Sequence, residues 1–306
     1  MAADTGLNVV TGAYSFTGRY IARRLLADGF KVKTLTGHPV TESPFSNDIP
    51  AAPFNFDDPA ALAASLEGAE VLYNTYWIRL EYGEMTFAQA VANTRSLVRA
   101  AREVSVRHIV HLSAANASPD SPHPYFQAKA QAEQAVLESG IPCAILRPTI
   151  LFGREAPFFN NLAWMLRKLP FFALPGDGSY PLQPVYVDDI AELAVRAGHR
   201  RQSVELVAGG PETFSFEQMV RLVARRIGSR SRLVHMPPTR ILRLGGLVGG
   251  LVEDVPVTRR EIDVLVSGLL ATDAPAAGHT LFTVWLEQNA DTLGICYQSE
   301  LARHYR

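Results

Sequence analysis

Two short constellations in this sequence carry residue types that do chemistry. In "PYFQAK", Tyr125 and Lys129 stand four residues apart. On a helix that spacing puts them on one face. An ammonium beside a phenol favours the phenolate and lowers the tyrosine pKa. Such a tyrosine is suited to general acid–base exchange with a hydroxyl or carbonyl oxygen. The same spacing also fits a solvent-exposed pair with no chemical role. The second constellation is "VVTGAYSFTGRY", residues 9 to 20. Gly12 would tighten a strand-to-helix turn and Gly18 would let the helix pack close to the strand. A pyrophosphate would then face the helix N-terminus. Dinucleotide turns of this length usually carry a third glycine between the outer two, and Ser15 stands in its place. Serine is small and its hydroxyl can face a phosphate, provided its backbone need not adopt a glycine-only conformation.

The surrounding pattern supplies elements to position both. Leu7 to Thr11 reads as a strand, followed by a helix from about Thr17 to Asp28. "KVKTLT" and the short "APFNF" read as the second and third strands. "DDPAALAASLEG" has its own start and stop signals, with Asp58 as N-cap, Pro59 in the first turn and Gly68 at the C-terminal cap. "EVLYNT" is a fourth strand, about Thr86 to Val104 a long amphipathic helix, and "RHIVHLS" a fifth strand. Tyr125 to Ser139 is a helix and "CAILRP" a sixth strand. Alternating strands and helices imply right-handed crossovers and a parallel sheet covered on both faces. In such sheets ligands bind at the carboxyl edge, where the helix of Tyr125 and Lys129 begins.

After about residue 150 prolines punctuate a loop-rich region. "VELVAG" returns to the sheet, "SFEQMVRLVARRIG" is a helix capped by Ser215, and residues 239 to 306 read as mostly helical. The expected organisation is a dinucleotide-binding domain over residues 1 to 155, rejoined near 185 to 210, and an interleaved, smaller substrate-binding lobe over 156 to 306.

Composition narrows the classes. Of 306 residues, 47% are hydrophobic and 19% charged, the balance of a globular protein, and the formal net charge of −1 draws it to neither nucleic acid nor an acidic membrane. Cys143 and Cys296 make no disulfide framework, so a reducing, cytoplasmic compartment is expected. "MAADTGLN" lacks the features of a signal peptide, and no apolar run reaches membrane-spanning length. The histidines show no metal-ligand spacing, so no metal is expected. "RRIGSRSR" reads as a solvated helix end rather than a nucleic-acid patch, and "RILRLGGLVGGLVEDV" as close helix packing rather than a membrane contact. "TYWIRLEYGEM" fits either a core segment or a substrate-facing loop.

In order along the first 200 residues or so stand "TGAYSFTGR", "VANTRSLVRAAR", "HIVHLSA", "YFQAK", "ILRPTILFG" and "PVYVDDIAELA". With these the chain resembles the short-chain dehydrogenase/reductase superfamily, in its extended or atypical branch. Within it the chain is similar to NAD(P)-binding proteins related to the Rossmann-type accessory subunit of respiratory complex I and to NmrA-like proteins. The resemblance implies a Rossmann-type doubly wound parallel sheet with a smaller, mostly helical C-terminal substrate lobe. It places Gly12, Ser15, Phe16 and Gly18 on the pyrophosphate turn, Asp57 near the adenine, Asn74 and Thr75 along the cofactor, and Pro148 at the nicotinamide loop. Asp57 also fits a capping role beside Asp58. Tyr125 and Lys129 fall on the catalytic pair, with Lys129 also bonding the nicotinamide ribose, and Asn93 falls in the helix packed behind the site.

Two departures stand out. The family's carbonyl-polarising serine or threonine is replaced by the run Ser113, Ala114, Ala115, Asn116, in which Ser113 fits a strand-end role as well as a catalytic one. Ser118 is a weaker candidate. After the second strand the sequence reads Thr36, Gly37, His38, Pro39, with neither the acid that reads a ribose 2′-hydroxyl nor the arginine that reads a 2′-phosphate. Gly37 leaves room for a phosphate, and Arg19 and His38 offer positive charge, which favours NADP. The expected function is NAD(P)-dependent hydride transfer to or from a small carbonyl or hydroxyl substrate, by a monomer or homodimer. The alternatives are a sugar-type epimerase or dehydratase with bound cofactor, and a non-catalytic NAD(P)-binding regulatory or structural protein.

Overall fold

The computed structural model describes residues 6–37, 48–200 and 203–304. The chain begins β1 (Leu7–Thr11), α1 (Phe16–Ala27), β2 (Lys31–Thr36), β3 (Ala51–Pro53), α2 (Pro59–Leu66), β4 (Ala69–Asn74), α3 (Phe87–Glu103), β5 (His108–Leu112), α4 (Pro124–Leu137) and β6 (Cys143–Pro148). It continues β7 (Ile150–Phe152), α5 (Pro157–Lys168), β8 (Phe171–Pro175), β9 (Pro181–Leu182), β10 (Pro184–Tyr186), α6 (Val187–Gly198) and β11 (Val204–Ala208). Last come β12 (Phe214–Ser215), α7 (Phe216–Arg226), β13 (Arg232–Met236), α8 (Pro238–Val252), α9 (Arg259–Val266), α10 (Phe282–Asn289) and α11 (Glu300–His304).

Seven strands form the central sheet, in the order β3-β2-β1-β4-β5-β6-β11. The pairings among β1 to β6 are parallel. The strands in the middle are near-continuous apolar runs because helices cover both faces. On one face Val9, Leu35, Leu72, Ile109 and Ile145 pack with Leu62 and Leu66 of α2, Leu97 of α3 and Val136 of α4. Helices α1 and α6 pack together, tied at their surface by Arg24 Nε donating to Asp188 at 2.9 Å. Local signals set the helix starts. Asp58 accepts from Ala61 N at 3.0 Å, and Thr86 from Gln89 N at 3.1 Å. Pro124 occupies the first turn of α4, where its missing N–H costs nothing.

The chain divides into two compact units, one made of Met1–Pro148 with Val187–Val207, the other of Thr149–Tyr186 with Ala208–Arg306. The second unit has its own aromatic core, in which Phe152, Phe159, Phe172, Tyr180, Phe216, Phe282 and Trp285 are buried. The stretch after residue 150, expected as loop-rich, holds α5 and five short strands, β7 to β10 and β12. Strands of two to five residues give too short an alternation to stand out between prolines. Among the described residues no helix is long and apolar enough to cross a membrane.

Candidate functional site

The strand order reverses between β1 and β4. The chain lays β2 and β3 to one side of β1, then crosses to build β4, β5 and β6 on the other. At this switch point an open α/β sheet leaves a crevice at its carboxyl edge.

The turn out of β1 enters that crevice. Gly12 has φ +66°, a left-handed conformation, and its N–H donates to the Leu35 carbonyl at 2.8 Å. A Cβ on Gly18 would lie 2.3 Å from the carbonyl oxygen of Gly12, so only glycine lets α1 approach this closely. Ser15 is the N-cap of α1 at φ −90° and ψ −177°, an extended backbone open to any residue. The missing third glycine is therefore not required. The Ser15 hydroxyl turns back to donate to Gly12 O at 2.7 Å and makes no capping bond to the helix. Nor is there an acidic side chain in the first turn of α1. The helix begins with N–H donors left for an anion, and Phe16 takes its first position.

Thr11, the last residue of β1, ties this turn to β4. Its Oγ1 accepts from the N–H groups of Thr75 at 2.7 Å and Tyr76 at 2.9 Å. The Thr75 hydroxyl donates to the Thr11 carbonyl. Asn74 Oδ1 accepts from Tyr76 N at 3.1 Å, so its amide nitrogen faces His111 Nδ1 at 3.1 Å and donates to it. That bond fixes the His111 tautomer, with Nδ1 as the acceptor and the proton on Nε2. Both side chains are fully buried. Burial, together with the charge of Lys129, pushes His111 down to about 3 and keeps it neutral.

Lys129 is buried on α4, and its ammonium donates to the carbonyl of Leu112, the last residue of β5, at 3.1 Å. It also lies 4.2 Å from the centroid of the Trp77 ring. Burial pulls Lys129 down to about 7, against an upward pull from Glu133. Tyr125 packs edge-on to Trp77, with ring centroids 6.2 Å apart, and to Phe87 at 5.8 Å. This corrects the expectation of a lowered tyrosine pKa. Burial in the aromatic cluster pushes Tyr125 up to about 12. The ammonium is committed to an indole face and a carbonyl rather than to the phenol.

The remaining candidates are more dispersed. Ser113 is buried beside β6, its N–H donating to Leu146 O at 2.8 Å, and its hydroxyl has no hydrogen-bond partner among the described residues. Pro148 is buried and its carbonyl accepts from Ala115 N at 2.8 Å. Asn93 donates to the Tyr76 hydroxyl at 2.8 Å behind the β4 loop. Asp57 lies exposed in the turn before α2, whose cap is Asp58. Gly37 is exposed just after β2, and among the described residues nothing lies within 4 Å of where its Cβ would be. The Arg19 guanidinium donates to the Tyr14 carbonyl at 3.0 Å. His38 lies outside the described residues. Thr11, His111 and Trp77 are not among the residues the sequence singles out for this site. The polar Thr11 and His111 on otherwise apolar strands were a usable signal. Trp77 had none beyond its aromatic-rich segment.

The sheet order and this turn define a Rossmann-type α/β protein of the dinucleotide-binding class. Residues 12–157 match the family model described as NAD(P)H-binding. The mitochondrial NADH dehydrogenase (ubiquinone) 1 alpha subcomplex subunit 9 of Arabidopsis thaliana is 29% identical over 251 residues, which are 74% of this chain and 60% of that protein. This chain thus spans less than two thirds of that relative's length. The ceramide reductase of Caulobacter vibrioides is 27% identical over 256 residues, covering 81% of this chain and 79% of the relative. The triphenylmethane reductase of Citrobacter sp. complexed with NADP(H) superposes with a TM-score of 0.74 at 17% identity, covering 92% of this chain and 99% of that one. At that identity the likeness establishes the fold.

Proposed function

We propose that this protein is an NAD(P)-dependent oxidoreductase of the short-chain type that reduces a small-molecule carbonyl. The carrying observation is the placement of Lys129 and Tyr125. One turn of α4 separates them, and the ammonium is anchored on the carboxyl end of β5. The Tyr125 phenol, ordinarily protonated at neutral pH and pushed further up by burial, serves through its Oη as a proton donor to a developing alkoxide. That state suits reduction better than alcohol oxidation. Lys129, held near 7, supplies positive charge and an N–H donor at the same edge.

The turn fits a dinucleotide. Gly12 and Gly18 allow close backbone approach, and the uncapped start of α1 offers donors to a pyrophosphate. Asn74, Thr75, Pro148, Asp57 and Lys129 are the further residues assigned to hold it, with Gly37 and His38 at the ribose. The space left by the described residues at Gly37 supports NADP. When bound, the nicotinamide would supply the hydride. The reductase relatives support this direction, and the second unit is read as selecting the substrate. Free Cys143 and Cys296 support a reducing, cytoplasmic setting.

A non-catalytic dinucleotide-binding subunit is the second reading. The departure from the family's carbonyl-polarising serine in the run Ser113, Ala114, Ala115, Asn116 and the complex I relative favour it. The test has two stages. NADPH and NADH are titrated against the protein by calorimetry, then carbonyl compounds are screened by loss of nicotinamide absorbance, with Tyr125→Phe as control. Binding with turnover that Tyr125→Phe loses by about a hundredfold or more supports the oxidoreductase. Binding without turnover supports the second reading, and no binding overturns both.

A further inference from the structure

We infer that Trp77 is the positioning residue of the Tyr125/Lys129 pair, its indole face seating the ammonium and its edge seating the phenol ring. The inference rests on the reading of that pair as catalytic, but the geometry stands by itself. A buried ammonium has three N–H donors to satisfy. Leu112 O takes one at 3.1 Å. The nearest carboxylate on its own helix, Glu133, is engaged by Arg147 through bonds of 2.6 to 3.1 Å. The indole face at 4.2 Å then does the work of a counter-charge, and the attraction grows as water is excluded.

The ring is itself fixed. It stacks on Phe87, centroids 6.4 Å apart and planes 9° apart, at the first turn of α3. The Phe87 N–H donates to Glu81 at 3.0 Å, and Tyr82 and Met85 exchange backbone bonds at 3.1 Å. Ile78 and Leu80 are buried. The segment after β4 is thus a folded platform, and Trp77 in it meets both members of the pair. A carboxylate in its place would pin the ammonium in an ion pair. An aromatic face holds the charge while leaving its N–H donors free to turn toward a hydroxyl. The groups facing Lys129 are Glu133 on α4, His111 and Leu112 on β5, and Trp77 after β4.

The test needs neither cofactor nor turnover. The other lysines are Lys31, Lys33 and Lys168, so lysine-selective isotope labelling gives few signals, and the one lost in Lys129→Met is Lys129. Its titration midpoint is followed by NMR in the native protein, Trp77→Phe and Trp77→Leu, with circular dichroism as the folding check. The leucine variant should lower the midpoint by about one unit, a tenfold change in proton affinity, and the phenylalanine variant should restore it. Should the leucine variant not fold, fluorinated tryptophan in the native chain weakens the ring's π density at constant shape and should lower the midpoint likewise. An unchanged midpoint overturns the inference. So does a rise toward the ordinary lysine value, which would make the ring a water barrier only. Failure of the oxidoreductase reading appears separately, as absent turnover or dinucleotide binding.

Discussion

A Cβ on Gly18 would sit 2.3 Å from the carbonyl oxygen of Gly12 and 3.0 Å from that of Thr11. Both neighbours are backbone, so neither can rotate away. Gly18→Ala should force α1 off the turn, costing on the order of 1–3 kcal/mol and weakening dinucleotide binding at least tenfold. Ser15→Gly should leave binding within a few-fold, because the Ser15 backbone is already extended. Thermal melting and NADPH calorimetry on the two variants check this. Equal binding by Gly18→Ala and native protein would mean that the turn does not hold the pyrophosphate.

At the end of β2 the question is cofactor choice. Among the described residues, a Cβ added at Gly37 meets nothing within 4 Å. Gly37→Asp should therefore fold normally and place a carboxylate near the ribose. It should repel a 2′-phosphate while offering an acceptor to a 2′-hydroxyl, lowering the NADPH/NADH affinity ratio by about tenfold or more. An unchanged ratio, measured by competitive titration, would move ribose recognition elsewhere.

Much of this architecture could be read before the structure, and the reasons are specific. Asp58, Pro59 and Gly68 announce α2 by local chemistry, and Val9 and Val10 announce β1 by β-branching. The Tyr125/Lys129 spacing follows from helix geometry alone. What escaped was set by contacts distant in sequence. Trp77 reaches Lys129 only because α4 packs beside α3 under the β4 loop. The same packing reversed the direction of the Tyr125 shift, since spacing reports that an ammonium is near but not that an indole receives it. The His111 tautomer depends on Asn74, which depends on the Tyr76 N–H, a chain of bonds across two strands and a loop.

Arg147 offers a contrast between buried and exposed ion pairing. Its Nη2 lies 2.6 Å from both Glu133, nearly buried, and Glu205, half exposed. Arg147→Met would strand the Glu133 carboxylate and should cost about 3–5 kcal/mol. Glu205→Gln should cost under about 1 kcal/mol, because that partner stays hydrated. Urea unfolding of the two variants measures the difference. Equal costs would mean that Glu133 is relieved by water or protonation.

The two buried bases under the Trp77 platform set how stability depends on pH. His111 is pushed down to about 3 in the folded chain, from an ordinary value of 6.5. Between those limits the unfolded chain binds the extra proton, so acidification removes stability, by at most about 1.4 kcal/mol per pH unit. His111→Gln keeps an acceptor for Asn74 but cannot titrate, and its stability should fall less steeply from pH 6.5 toward pH 3. Lys129 has the same sign in a higher window. Its folded value of about 7 lies below the ordinary 10.5, so the unfolded chain again binds more protons between them. The cost of burying the ammonium is fully present below pH 7 and fades as pH rises toward 10.5. Lys129→Met should therefore gain stability over the native protein at pH 6, and the gap should close by about pH 10. Denaturant unfolding of both proteins across pH 6 to 10 measures the gap directly. A gap that stays constant across that range would mean that Lys129 keeps its proton on folding, and that the indole face and the Leu112 carbonyl fully offset its burial.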